Sequence, residues 1–309
     1  MSPTKTTLSL LVSSCLALTG CSPPEYNEQG WSSTPLKIGY DSRVSRPRHS
    51  PDGNKIAYVK VQEIEKPPPF GTTGTGMEII LDPDAPSDLS TTDPLGKFRD
   101  KLTPGGGYRL SGPAWTPDNA QVYFASDDGI RVVLAAGGDS TLVVPEIAAM
   151  DPDVSPDGKS IVYAINAGDP IEGHMKEGSL KLVELANPTA PKELGATGWY
   201  PRFSPDAKRL AFASDNMIKM MDIATGKVTD VYDAGTFLAS VDWFPDGKRL
   251  AITTDAGVGI VTLEPTPKHV LIREDFAAKT VDISDNGKFI VYGINGLNNF
   301  FVLSRPPGS

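Results

Sequence analysis

Five charged side chains, Arg48, Asp153, Arg202, Asp242 and Asp282, occupy one position of a motif that recurs along the chain. Three carboxylates and two guanidiniums brought to one narrow place have the chemistry to bind a cation, a polar small molecule or a protruding peptide. The competing and favoured reading is that they bond to neighbouring strands and satisfy inward-facing backbone groups. Other chemistry is scarce. Two cysteines and three histidines among 309 residues leave little for thiol catalysis, a disulfide framework or a Cys/His metal site. His49, His174 and His269 fall in different repeats without metal-ligand spacing, so each is read as structural or solvated. There is no Gly-x-Ser-x-Gly elbow. With 29 Lys+Arg against 38 Asp+Glu, a charge of −9 excludes a basic, phosphate-tracking nucleic-acid binder.

The elements that position these residues follow from the repeat. Six segments align: Pro47–Gly53, Pro113–Asn119, Pro152–Gly158, Pro201–Ala207, Val241–Gly247 and Val281–Gly287. Marked by Asp52, Asp118, Asp157, Asp206, Asp246 and Asn286, they lie 66, 39, 49, 40 and 40 residues apart. A period near 40 is the size of one four-stranded propeller blade. Pro presets φ, Asp bonds the local backbone, and Gly takes the left-handed position that closes a hairpin, with Ala207 mildly strained there. Behind each turn comes a run rich in β-branched and aromatic residues, such as Lys55–Val59 and Arg209–Ala213.

Third strands are expected at Met77–Leu81, Gly129–Leu134, Ser179–Leu185, Met217–Asp222, Val258–Leu263 and Phe300–Leu303. Outer strands are expected at Lys97–Leu102, Ser140–Val144, Pro191–Leu194, Lys227–Tyr232 and Lys268–Arg273, which leaves the last repeat one short. Pro35–Tyr40 lies unpaired ahead of the first repeat and would close the ring as the missing strand. The expected fold is therefore all-β, a six-bladed β-propeller of four-stranded blades with N-to-C strand closure. On the inner strands, one place before the large apolar position, Arg48, Ala114, Asp153, Arg202, Asp242 and Asp282 form the polar set facing the channel.

These repeats resemble the WD-repeat-like, Pro-Asp-centred propeller family typified by TolB, over about residues 34–303. TolB carries a separate N-terminal α/β domain, whereas here only a short stretch precedes the first repeat. That stretch has its own resemblance. Lys5, the apolar run Leu8–Leu18 and Leu18-Thr19-Gly20-Cys21 are similar to the signal and lipobox of bacterial lipoproteins. The resemblance implies removal of residues 1–20, acylation of Cys21, and, with Ser22 following, transfer to an outer membrane facing the periplasm. Residues 21–33 read as a tether, 34–303 as the propeller and 304–309 as a tail. Without Lys5 the mature charge becomes −10, so attachment rests on lipid rather than on basic residues.

Two long loops, at Lys66–Gly74 with Asp82–Asp88 and at Gly168–Met175, are further recognition candidates. Calcium at Asp82, Asp84 and Asp88 is a weak reading, because Pro83 and Pro86 interrupt it and the EF-hand glycine and glutamate are missing. The expectation is a non-catalytic, monomeric, lipid-anchored module that binds an envelope protein, peptide or ligand, without cofactor, metal or nucleic acid. The alternative is a lactonase-like propeller hydrolase with metal held by Asp153, Asp242 and Asp282.

Overall fold

Turn formers alternating with β-branched runs dictate hairpins, and every regular element among the described residues is a strand. The computed structural model describes residues 25–26, 30–37, 42–62, 87–104, 111–166, 177–294 and 299–305. A pair, β1 (Glu25–Tyr26) and β2 (Ser32–Lys37), comes first. The first antiparallel unit is β3 (Ser42–His49), β4 (Ile56–Gln62), β5 (Ser87–Thr92) and β6 (Arg99–Lys101). The second is β7 (Ser111–Trp115), β8 (Gln121–Ser126), β9 (Gly129–Leu134) and β10 (Thr141–Val144). The third is β11 (Ala149–Val154), β12 (Ser160–Ile165), β13 (Gly178–Glu184) and the first half of β14 (Lys192–Phe203).

The second half of β14 opens the fourth unit, with β15 (Arg209–Ser214), β16 (Met217–Asp222) and β17 (Val228–Asp233). The fifth is β18 (Leu238–Trp243), β19 (Arg249–Thr254), β20 (Gly257–Thr262) and β21 (Lys268–Glu274). The last has β22 (Ala278–Ile283), β23 (Phe289–Ile294) and β24 (Asn299–Ser304), and β2 joins it as fourth strand with β1 outermost, so this sheet has five strands where four were expected. The β2–β24 register runs from Ser32↔Ser304 to Lys37↔Asn299.

The inner strands β3, β7, β11, β14, β18 and β22 touch one another in that order, and β22 touches β3. The units therefore close a ring around a channel. Instead of one central core there is an apolar cluster at each junction. Examples are Val59, Leu89, Trp115 and Phe124 between units one and two, and Trp31, Phe244, Ile260 and Tyr292 between units five and six. Adjacent units are thus held by apolar burial, worth roughly 25 cal/mol per Å².

The repeated turns form as their residue types require. Ser50, Thr116, Ser155, Ser204 and Ser284 donate a hydroxyl to Asp52, Asp118, Asp157, Asp206 and Asn286 at 2.5–2.9 Å. The same hydroxyls accept a backbone N–H five residues on at 2.9–3.0 Å. Phe244 lacks the hydroxyl, and there Asp246 bonds the N–H groups of Lys248 and Arg249 at 2.8 and 3.1 Å. The final turn position is left-handed in all six, including Asn119 at φ 60° and Ala207 at φ 57°.

Two expectations need correction. The third strand of the first unit is Ser87–Thr92, and Met77–Leu81 lies outside the described residues. Ser-Asp-Leu-Ser-Thr-Thr carries little apolar signal, yet Leu89 is fully buried and Asp88 pairs with Lys101 at 2.9 Å. Asp88 is therefore a strand residue in an ion pair, and the weak calcium reading loses one of its three carboxylates. The tether is also shorter than expected. Trp31 is fully buried and β2 starts at Ser32, three residues ahead of Pro35, because the indole fills the junction between units five and six. Cys21, Lys66–Gly74, Asp82, Asp84 and Gly168–Met175 lie outside the described residues.

Left-handed backbone disfavours any residue with a Cβ, so Ala207→Gly is expected to stabilise the protein by about 1 kcal/mol in denaturant unfolding. Gly158→Ala is expected to do the reverse, since its added Cβ meets nothing closer than Pro117 at 3.6 Å and only the backbone changes.

Candidate functional site

Each inner strand is bulged. Pairing register slips between Ser45 and Arg48, Ser111 and Ala114, Met150 and Asp153, and Trp199 and Arg202. It slips again between Leu238 and Ser240 and between Ala278 and Thr280. A bulge bends its strand and re-aims the side chains near it. Beyond the bulges lie Arg48, Asp153, Arg202, Asp242 and Asp282, as the repeat predicted, while Ala114 leaves the second unit without a charge.

The aspartates join neighbouring units. Asp153 accepts the Phe203 N–H at 2.9 Å, Asp242 the Ile283 N–H at 2.8 Å, and Asp282 the His49 N–H at 2.7 Å. In each case the carboxylate reaches the inner strand of the next unit around the ring. Arg48 spans the channel, placing Nη2 2.7 Å from Asp153 and Nε 2.7 Å from Asp282. Arg202 is looser, with Nε 3.9 Å from Asp242 and Nη1 donating to the Pro201 carbonyl at 3.0 Å. Trp115 and Trp243 donate their indole N–H groups to the carbonyls of Arg48 and Arg202 at 3.1 and 3.2 Å.

Burial opposes charge here and partners restore it unevenly. Desolvation weakens protonation of Arg48, but Asp282, Asp153 and Asp242 outweigh it and hold the guanidinium more firmly charged than usual. Burial, and then the charge of Arg48, lowers Arg202. Burial and then Asp282 push Asp242 up to about 7.

On the side of the repeated turns, this network floors a cavity of about 310 Å³. Its walls are Trp115, Phe203 and Trp243, and its rim is Pro51, Pro117, Pro156, Pro205 and Pro245. The sixth turn places Asp285 where the other five have proline. Desolvation and the nearby Asp282 raise this carboxyl. His49 also lines the cavity, its Nδ1 2.8 Å from Asp282 and its Nε2 buried without a hydrogen-bond partner among the described residues. Neither residue stood out in the sequence reading. The signals were that Ser-Asp-Asn-Gly departs from Ser-Pro-Asp-Gly, and that His49 alone is polar at a position otherwise held by Trp115, Val154, Phe203, Trp243 and Ile283.

At the opposite end of the inner strands a second cavity of about 200 Å³ is lined by Arg46, Trp199, Tyr200, Phe237, Lys279 and Thr280, among others. Arg46 forms an ion pair with Asp151.

No family model matches the chain, and no curated protein matches its sequence. Solved structures do. TolB from Acinetobacter baumannii aligns at 18% identity and TM-score 0.57 over 86% of this chain, which spans 65% of that protein's length. A gluconolactonase from Xanthomonas campestris aligns at 14% identity and TM-score 0.65 over 93% of this chain and 96% of its own. A nidogen/laminin complex contains a third, at 10% identity and TM-score 0.55 over 75% and 80%. The fold is a β-propeller.

In this propeller the carboxylates suggested for a metal are already engaged. Arg48 lies between Asp153 and Asp282, and one oxygen of each of Asp153, Asp242 and Asp282 accepts a backbone N–H from the next blade. Among the described residues no group of three His, Cys, Asp or Glu side chains is arranged to hold a metal ion. The donor set fits a closed ion network better than a cation site.

The raised Asp242 sets a pH dependence. Between its unfolded value of 3.8 and about 7 the folded state binds the extra proton. Stability from this group is thus full below pH 3.8 and is lost as pH rises through 7. Asp242→Asn keeps an oxygen for the Ile283 N–H but cannot titrate, so melting temperatures measured across this range are expected to vary less with pH than in the wild type.

Proposed function

We propose that this chain is a non-catalytic binding module, held at the bacterial envelope by lipid on Cys21, whose turn-side cavity receives a polar group of an envelope protein or peptide. The observation that carries this reading is Arg48 bridging Asp153 and Asp282 at 2.7 Å each. The charged floor is thereby an internally ion-paired platform rather than a free set of ligands or bases. Recognition falls to what remains at the mouth: the exposed Asp285 carboxylate, the aromatic walls and five rigid prolines. Aromatic and proline surfaces lose little entropy on binding, which suits capture of a protruding segment. On this reading the protein acts as a monomer in the periplasm on the outer membrane, and its acidic surface keeps it off nucleic acid.

The second reading, a propeller hydrolase, is favoured by the gluconolactonase likeness over nearly the whole of both chains. It requires carboxylates that the Arg48 bridge and the inter-blade N–H bonds occupy.

Crosslinking pull-down from envelope membranes is expected to recover a partner with wild-type protein and to lose most of it with Asp285→Lys, which reverses the charge at the mouth without touching the floor. Recovery of no partner, together with lactone hydrolysis dependent on a divalent cation, would reverse the ranking. Cys21→Ser is expected to abolish incorporation of labelled fatty acid and to move the protein from the membrane to the soluble fraction.

A further inference from the structure

The cavity at the other end of the channel has a different chemistry, and we infer that it is a site for a small aromatic carboxylate, independent of partner capture at the turn side. Its walls are three aromatic rings. Trp199 and Tyr200 are buried, Phe237 is 45% exposed at the rim, and the Trp199 and Phe237 ring centroids are 5.5 Å apart. Such walls favour a flat apolar body.

Its charges are cationic toward the cavity. Arg46 and Lys279 line it, whereas their counter-ions Asp151 and Asp255 are not among the lining residues. An anionic head is therefore the group the cavity recognises. Thr280, 8% exposed, lines it as well, with its hydroxyl unbonded among the described residues. The guanidinium and the ammonium together offer donors enough for both oxygens of one carboxylate. At about 30 Å³ per water, the 200 Å³ volume holds on the order of seven waters, the scale of a single substituted ring.

The bulges of the inner strands bring two of these side chains to the cavity. Arg46 and Tyr200 sit at the bulge with φ of 56° and 49°, in the left-handed region that residues with a side chain rarely adopt. The second blade uses Gly112 at the equivalent place, with φ 22°. Asp151 holds the same conformation in the third blade, with φ 49°, without lining this cavity, so the left-handed place belongs to the inner-strand bulge, and in the first and fourth blades that bulge carries Arg46 and Tyr200 to the cavity.

Isothermal calorimetry on the full chain tests the assignment with three probes of one size: benzoate, benzyl alcohol and benzylamine. Benzoate is expected to saturate with a Kd of about 1 mM or tighter. Benzyl alcohol is expected to bind about tenfold more weakly, as loss of a charged hydrogen bond implies. Lys279→Met should remove most of that margin, and Phe237→Ala should weaken both probes. Both residues are partly exposed, so melting temperatures should stay within the wild-type range. Asp285→Lys, at the far mouth, should leave benzoate binding unchanged.

Benzylamine binding as tightly as benzoate, no saturation by benzoate, or loss of benzoate binding in Asp285→Lys with none in Lys279→Met would each overturn the site. None of these results bears on the pull-down at the turn side, so the two readings fail separately.

Discussion

Antiparallel units set radially around a channel leave inner edges whose backbone N–H groups turn toward the neighbouring units. The rest of the molecule depends on how those edges are satisfied. Asp153, Asp242 and Asp282 answer it by reaching to the N–H of the next inner strand, at 2.7–2.9 Å. Each such bond fixes one blade against the next and buries a negative charge. Arg48 then becomes necessary, since three carboxylates converging without a cation would repel one another. Arg202 contributes less, and burial together with the neighbouring Asp282 carboxylate keeps Asp242 raised against the pull of both guanidiniums.

Sequence patterning made the architecture legible wherever local chemistry and tertiary role agree. Behind every Pro-Asp turn the strand lies where β-branched and aromatic residues place it, and the left-handed turn position falls on Gly, Asn119 or Ala207 as the motif demands. Legibility failed at β5, whose Ser-Asp-Leu-Ser-Thr-Thr has no apolar alternation. Its hydroxyl-bearing residues are buried because they sit between β4 and β6, a tertiary fact with no local sign. Trp31 was misplaced for a related reason, since a lone aromatic ahead of the first repeat gains its site only once units five and six meet.

The channel charges could be picked out by their shared place in the repeat, and their bonding to neighbouring strands is the favoured reading, whereas the Arg48 bridge between Asp153 and Asp282 has no sign in the sequence. The second cavity could not. Bulges set two residues opposite one, and nothing in the composition of Arg46 or Tyr200 marks them as left-handed. The two ends of the channel therefore differ in kind. One is a proline-rimmed mouth over a sealed ionic floor, and the other is an aromatic pocket built by bulges. A single scaffold presents two surfaces with different preferences, and the ion network separates them.

The closing strand has a temporal meaning. Ser32 and Ser304, whose hydroxyls lie 2.9 Å apart, are 272 residues apart in sequence. At synthesis rates of about 5–20 residues per second, roughly a quarter of a minute to a minute separates their appearance. Until the last strand is available, β2 has only the two-residue β1 beside it and the Trp31 indole has no burial site. Contacts of such long range are slow to form, because the loop entropy is lost before any pairing is gained. The nascent ring is thus an open arc with two unpaired ends, and its period of greatest vulnerability to proteases and to other copies of itself is set by the geometry of closure rather than by the stability of any one blade.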